Sequence, residues 1–568
     1  MEWTPRRIQG TVPCVGAASA LRRPNVNTKY LQLFCVGCAI ALGVWLRAES
    51  LARKSAWEDE CWTVERTCKP TLVDVVRDLR GSAHPPLYYV AVWCYLQLCA
   101  SPSIADIRIV SMLCGIAALP LTYLMWRRLI SRKAVIWLTI LVSLNSYHIW
   151  YSRDAKMYAA VWLLSMMSCA TYVWCILGAP RRRDYVLLAV CNGCLIMVSY
   201  VGSVAIGVEC VHALCILFFI RKRRRPVIAC GVATAIGMLP FLMWVPVAWD
   251  AVTQRPGIKW IPPITAANIP ADLFRLSALV LTGIWPGSFE CQNGWGILFF
   301  TLVPLSVACG LIAISLHLVE AFRGPPSQVD TEGVCEPRNM YPNQREITVF
   351  LLLWICLPVL LAILYSFAVY PLWGIPRYLM SVAPAPLVLL ATAAAELRPR
   401  VMWNSVAILI VSTNLLAQVF DHQSATRVPW NEVVKAVDQG AGNNNIRRQA
   451  SLPDSGKVQT AYFGVGTHYF DHKSFKYAIK QHDGTADRVI RPLFNLDQTH
   501  LSGTLIVVTQ CPGVMDDRSQ LALRAILSSH ECLRIYGTRT CEDHWCRLPT
   551  PFVQQSTEVW VCHPKAKR

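Results

Sequence analysis

Apolar runs of about 17 to 23 residues recur between Tyr30 and Gln418, separated by short polar or basic segments. They predict eleven membrane spans, near 30–46, 106–126, 134–150, 157–177, 185–200, 202–220, 227–249, 294–318, 347–368, 377–395 and 402–418. Each lies close to the roughly 20 residues that cross a bilayer as a helix. Lipid offers no water to unpaired backbone groups, so the spans must be helical. Two apolar stretches are too short to cross. Residues 86–99 (PLYYVAVWCYLQLC) read as a half-buried helix beside the membrane, and 273–287 ends in Trp-Pro-Gly. The Pro-rich, polar stretch 321–346 reads as a linker.

From Phe420 the pattern changes to short apolar runs alternating with amphipathic ones. Residues 420–568 therefore read as a soluble α/β domain. Its elements are a helix near 430–438, strands near 458–463 and 504–509, a helix near 517–529 and a strand near 556–562.

Composition sharpens the class. Of 568 residues 54% are hydrophobic and 16% charged, against about 25% charged in soluble domains. The chain reads as a polytopic α-helical membrane protein with an appended α/β domain. The net charge of +19 comes from arginines in short clusters between spans, which suits cytoplasmic loops facing anionic lipid better than nucleic acid. Residues 1–29 carry Arg6, Arg7, Arg22, Arg23 and Lys29 without a long apolar core. They read as a cytoplasmic tail, and the first span as an uncleaved anchor. Clusters at Arg127/Arg128/Arg132/Lys133, 181–183, 221–225 and Arg398/Arg400 all fall on that same side if eleven spans are counted. The domain 420–568 then lies outside.

Most of the 24 cysteines lie inside spans, where the thiol behaves as a small apolar group. The outer domain holds five, Cys511, Cys532, Cys541, Cys546 and Cys562. An oxidising exterior permits a disulfide, and the odd count leaves at least one thiol over. The stretch Cys541-Glu-Asp-His544-Trp-Cys546 lacks a second ligand pair, which argues against zinc.

Four polar stretches converge on the outer side. Glu58-Asp59-Glu60 and Ser82-Ala83-His84-Pro85-Pro86-Leu87-Tyr88-Tyr89 belong to, or border, the outer loop 48–85. Tyr151-Ser152-Arg153-Asp154-Ala155-Lys156-Met157-Tyr158 joins two spans, and Trp373-Gly374-Ile375-Pro376-Arg377-Tyr378 opens another. Each has an ordinary reading. Acids after a span are often solvated, proline suits a helix start, arginine snorkels, and tyrosine anchors at interfaces.

Together, W-E-D-E-x-W-T, S-A-H-P-P-L-Y-Y, Y-S-R-D-A-K-M-Y and P-R-Y-L-M-S-V-A-P resemble the bacterial branch of the protein-mannosyltransferase and aminoarabinose-transferase superfamily. These are integral-membrane GT-C glycosyltransferases that use polyprenyl-phosphate sugars. The resemblance covers most of 30–419 and implies a GT-C transmembrane catalytic domain in the cell (inner) membrane. It implies Asp59 as the acid acting on the acceptor, with Glu60 beside it and Asp154 as the second acidic position. It implies His84 and Arg377 near the donor phosphate, and Tyr88, Arg153 and Lys156 of the same motifs join that set. The opening Pro-Trp-Asn-Glu of the outer domain also looks like the domain appended to bacterial members. Glu58 is an addition to the pattern and blurs the register of the acidic pair.

The chemistry can be argued without the family. No Walker A loop or Gly-rich dinucleotide turn is present, and no nucleotide-sugar pool exists outside the cytoplasm. An activated donor there must be membrane-borne, and a sugar on a polyprenyl phosphate fits. A carboxylate must take the acceptor hydroxyl's proton. Carboxylates also favour positive charge at the anomeric carbon, and a fixed Arg or His stabilises the leaving phosphate. One base attacking opposite the phosphate predicts inversion. Asp59, Glu60 and Asp154 could instead hold Mg²⁺ or Mn²⁺, although the basic residues at hand favour a metal-free site.

The rival class is a membrane transporter or flippase of a lipid-linked or small solute. Glu209 and His212, three residues apart within 202–220, are one intramembrane pair, too little for a transport path, and an interhelical hydrogen bond explains them as well. A receptor or scaffold binding through the outer domain comes third. Protein, glycolipid and polysaccharide acceptors all stay open, since selectivity lies in pocket shape.

Overall fold

A computed structural model describes residues 26–423 except 50, 57, 81–83, 101, 221–222, 254–263, 285–294, 324–343 and 370–371, and then 505–510, 530–540 and 555–564. Seven helices are long and apolar enough to cross a membrane. They are α1 (Val26–Ala48), α5 (Ile104–Trp126), α8 (Tyr158–Leu177), α11 (Arg224–Leu242), α14 (Trp295–Arg323), α15 (Gln344–Ala368) and α17 (Arg400–Gln423). The chain is a multi-pass α-helical membrane protein.

The pair α6 (Arg132–Leu144) and α7 (Ser146–Ser152), bent by 51°, makes an eighth span if counted as one. The three other expected spans are helical but short: α9 (Arg182–Val198, 17 residues), α10 (Val204–Phe219, 16) and α16 (Pro384–Glu396, 13). Length and apolarity thus support seven or eight spans among the described residues, where the hydropathy pattern predicts eleven. The shortfall at 377–395 comes from proline, which lacks an N–H and delays the helix. Pro376–Leu379 form a single 3₁₀ turn, and α16 begins at Pro384. Eleven of its thirteen residues are buried, so α16 runs through protein and not along lipid.

The break between α6 and α7 has named causes. Asn145 accepts from the His148 backbone N–H at 2.9 Å and donates to the Val280 carbonyl at 2.9 Å. Arg47, fully buried at the end of α1, donates to the carbonyls of Gly43, Ser143 and Val142 at 2.7, 2.9 and 3.2 Å. It thereby satisfies carbonyls that the broken helix leaves over.

Within the outer loop 48–85, α2 (Glu58–Thr67) and α3 (Leu72–Leu79) precede α4 (Leu87–Leu96). The three acids open α2, and the charge of Asp59 and Glu60 there complements the helix dipole. Helix α4 is the expected short helix, with Tyr88, Tyr89, Val92 and Leu96 buried. Of the other short piece, residues 273–282 belong to α13 (Ile269–Thr282), which follows α12 (Val245–Thr253), and 285–287 lie outside the described residues.

The C-terminal part shows an antiparallel sheet of β1 (Leu505–Gln510), β2 (His530–Thr540) and β3 (Gln555–Pro564), in the order β1-β3-β2. Strands β1 and β3 fall where alternation predicts them, while β2 was not predicted. The expected helices near 430–438 and 517–529, the strand near 458–463 and most of the linker 321–346 lie outside the described residues.

Candidate active site

Asp59 stands in the first turn of α2, and Arg377 in the 3₁₀ turn before α16. Although 318 residues apart in the chain, they meet: Arg377 Nη1 donates to Asp59 Oδ2 at 2.7 Å. The 3₁₀ turn is pinned from the bundle by Tyr147, whose hydroxyl donates to the Pro376 carbonyl at 2.6 Å.

The turn at 153–156 docks on α2 through both of its backbone polar groups. The Ala155 N–H donates to Glu60 Oε1 at 2.8 Å, and Thr63 Oγ1 donates to the Ala155 carbonyl at 2.9 Å. Glu60 is in turn gripped by Arg108 of α5, with Nε to Oε1 at 2.7 Å and Nη2 to Oε2 at 2.6 Å. Arg108 Nη1 also donates to the carbonyls of Leu51 and Lys54 at 2.7 and 2.9 Å. Behind the same turn, Ser111 Oγ donates to the Lys156 carbonyl at 2.7 Å and lies 2.8 Å from the Tyr88 hydroxyl.

The electrostatics follow from this packing. Burial alone would push the Asp59 carboxyl up, but Arg377, Lys156, His84 and Arg66 together hold it below the usual 3.8. It is therefore ionised at neutral pH. Burial, reinforced by Lys156, drives His84 well below 6.5, so its ring is neutral there. Burial opposes the charge on Arg377, yet Asp59 outweighs it and keeps the guanidinium protonated. Burial raises Tyr88 well above 10, so its hydroxyl keeps its proton.

Asp59, His84, Lys156 and Arg377 thus lie near one another. Glu60 and Tyr88 stand behind them, engaged by Arg108 and Ser111. Asp154 is wholly buried and its carbonyl accepts from the Lys156 backbone N–H at 2.7 Å. Arg153 turns the other way, donating to Gln418 Oε1 at 3.1 Å.

Several site residues escaped the sequence reading: Arg108, Ser111, Arg66, Tyr158 and Tyr378. Arg108 had a signal, a basic residue inside an apolar span. Tyr158 and Tyr378, which act electrostatically on Arg377, had none beyond their place in two motifs.

The cation reading fits the geometry poorly. Among the described residues no three His, Cys, Asp or Glu side chains converge on a point, and Asp59 and Glu60 turn to separate arginines. Glu209 accepts from Ser168 Oγ at 2.6 Å and Asn192 Nδ2 at 2.8 Å, which ties α10 to α8 and α9. Tyr172 and His212 are hydrogen-bonded at 3.0 Å.

No family model and no curated protein matches the chain. Among solved structures, ArnT from Cupriavidus metallidurans bound to undecaprenyl phosphate is similar at 13% identity and a TM-score of 0.46, covering 94% of this chain and 98% of that one. The apo oligosaccharyltransferase of Archaeoglobus fulgidus is similar at 11% identity and 0.49, covering 89% and 73%. The same organism's AglB, with an inhibitory peptide and a dolichol-phosphate, gives 12% and 0.47 over 89% and 73%.

Proposed function

We propose that this protein is a GT-C glycosyltransferase that moves a sugar from a polyprenyl phosphate to an acceptor hydroxyl outside the cytoplasm, with inversion. The observation that carries the reading is the meeting of Asp59 and Arg377 at 2.7 Å, with Lys156 and Arg66 acting on the same carboxylate. A carboxylate set among fixed cations is what hydroxyl attack on a phosphate-bearing carbon requires.

In this reading Asp59 accepts the acceptor's proton as the hydroxyl oxygen bonds to the anomeric carbon. The bond from that carbon to the phosphate oxygen breaks on the opposite face, and the oxygen keeps the electron pair. Arg377, Lys156 and the neutral His84 ring N–H stabilise the charge that develops there. Glu60 acts as a positioning residue through Arg108 and Ala155, and Tyr88 through Ser111. Asp154 assists from the turn it shares with Lys156. The phosphate set thereby narrows, because Arg153 is turned toward Gln418 and Tyr88 toward Ser111.

The chain lies in the cell (inner) membrane, with the N-terminus cytoplasmic and 420–568 outside. Its acceptor is a protein, a glycolipid or a polysaccharide. The test is a transfer assay on the full chain in detergent with a radiolabelled polyprenyl-phosphate sugar and a panel of those acceptors. Label transferred or released by wild type and lost in Asp59→Asn supports the reading. Equal turnover in both Asp59→Asn and Asp154→Asn would sink the site assignment.

A further inference from the structure

In this structure the cation assigned to the leaving phosphate is already engaged. Arg377 holds Asp59, with the two side chains 12% and 28% exposed. Two other cations of the site differ from it. Among the described residues, neither Lys156 nor Arg66 has a carboxylate within ion-pair distance.

Lys156 and Arg66 share one aromatic ring, with Lys156 Nζ 6.0 Å and the Arg66 guanidinium carbon 5.8 Å from the centre of Tyr89. Both act on Asp59 and on His84. Lys156 is only 2% exposed. A cation taken out of water this far with no carboxylate in ion-pair contact is costly, and an arriving anion would offset that cost. A ring face compensates a cation only in part.

We infer that the donor's phosphate docks first on Lys156 and Arg66, and then displaces Asp59 from Arg377. The inference rests on the function proposed above and adds an order of events to it. No covalent bond changes in this step; a guanidinium exchanges one oxyanion for another. The exchange is physically easy, because a partly exposed ion pair is weak while arginine binds phosphate through two parallel hydrogen bonds. Its consequence is a coupling of binding to chemistry. While Arg377 holds Asp59, the carboxylate is a poor proton acceptor. Once phosphate takes the guanidinium, the carboxylate is released toward the acceptor hydroxyl, so the base is armed only when the donor is in place.

Competition for one arginine has a counterintuitive signature: removing the catalytic carboxylate must tighten phosphate binding. The experiment measures the Kd of undecaprenyl phosphate for the full chain in detergent, for wild type, Asp59→Asn, Arg377→Gln and the double variant. Asp59→Asn is expected to bind roughly five-fold tighter or more, the scale of a partly exposed pair. That gain should vanish in the Arg377→Gln background. Lys156→Met should weaken binding about tenfold with or without Asp59, the scale of one charged hydrogen bond.

An unchanged or weaker Kd for Asp59→Asn would overturn the exchange. So would an equal gain in the Arg377→Gln background, which would mean a general field effect and not competition for Arg377. Asp59→Ser serves if Asp59→Asn does not fold. Binding by wild type without the gain removes this inference alone, whereas no binding by wild type removes the proposed function as well.

Discussion

Glu60 and Arg108 face each other as a two-point ion pair, 2.7 and 2.6 Å long, with side chains 0% and 1% exposed. The pair joins α2 to α5, and Glu60 also receives the Ala155 N–H. The neighbouring acids Asp59 and Glu60 therefore have different surroundings: one lies among the site's cations, the other locks the wall behind it.

Breaking a buried pair leaves a charge without its counter-charge, at a cost of about 3–5 kcal/mol. Arg108→Met should lower the melting temperature of the detergent-solubilised chain markedly, as should Glu60→Gln. The double replacement Glu60→Leu/Arg108→Met should recover much of that loss, read by the same thermal scan.

The pH dependence follows from Asp59. Its carboxyl is held below 3.8 by the surrounding cations, so its pairing contributes stability above the unfolded pKa of about 3.9. That contribution is lost as pH falls through the lower folded value. On the activity side, the acid limb of kcat/KM should lie below the usual carboxylate range. Arg377→Gln should move that limb upward, because the strongest of the cations holding the carboxyl ionised is gone. A pH series of initial rates on both proteins checks the direction.

Much of this site was legible in the chain because its motifs are short and locally folded. Asp59, His84, Lys156 and Arg377 each sit in a polar stretch bordering apolar runs, and the same stretches fold against one another. The two charges that hold the frame were not read as site residues. Arg47 and Arg108 lie in or at the end of apolar segments, and their partners are largely backbone carbonyls, which leave no pattern in the side chains. Length and apolarity support fewer than the expected eleven spans for a related reason. Hydropathy does not separate lipid-facing from protein-buried helix, and α16 is buried on nearly all sides. The break at Asn145 rests on contacts with Arg47, Val280 and Asn414 from distant segments.

Gly283 tests that frame. It has φ +70°, a conformation favouring glycine, and an added Cβ would lie 2.1 Å from the Ser146 Cβ at the start of α7. Gly283→Ala should destabilise the chain by about 1–3 kcal/mol and lower turnover along with it, since α7 leads into the 153–156 turn. Thermal scans and rates on the same preparation read both effects.

Chelation separates the two readings of the acids. With Asp59 turned to Arg377 and Glu60 to Arg108, an excess of EDTA should leave transfer unchanged, and added Mg²⁺ or Mn²⁺ should not raise it. Loss of activity on chelation, restored by either ion, would return Asp59, Glu60 and Asp154 to the role of metal ligands.

The most direct test of the account is a single-turnover reaction with a radiolabelled polyprenyl-phosphate sugar, comparing wild type with Asp59→Asn at saturating donor. Loss of a general base lowers the rate by about 10²–10⁴-fold, and the account predicts a fall in that range with donor binding retained. A variant that transfers at the wild-type rate, or a wild type that neither transfers nor releases the sugar with any acceptor, would contradict it.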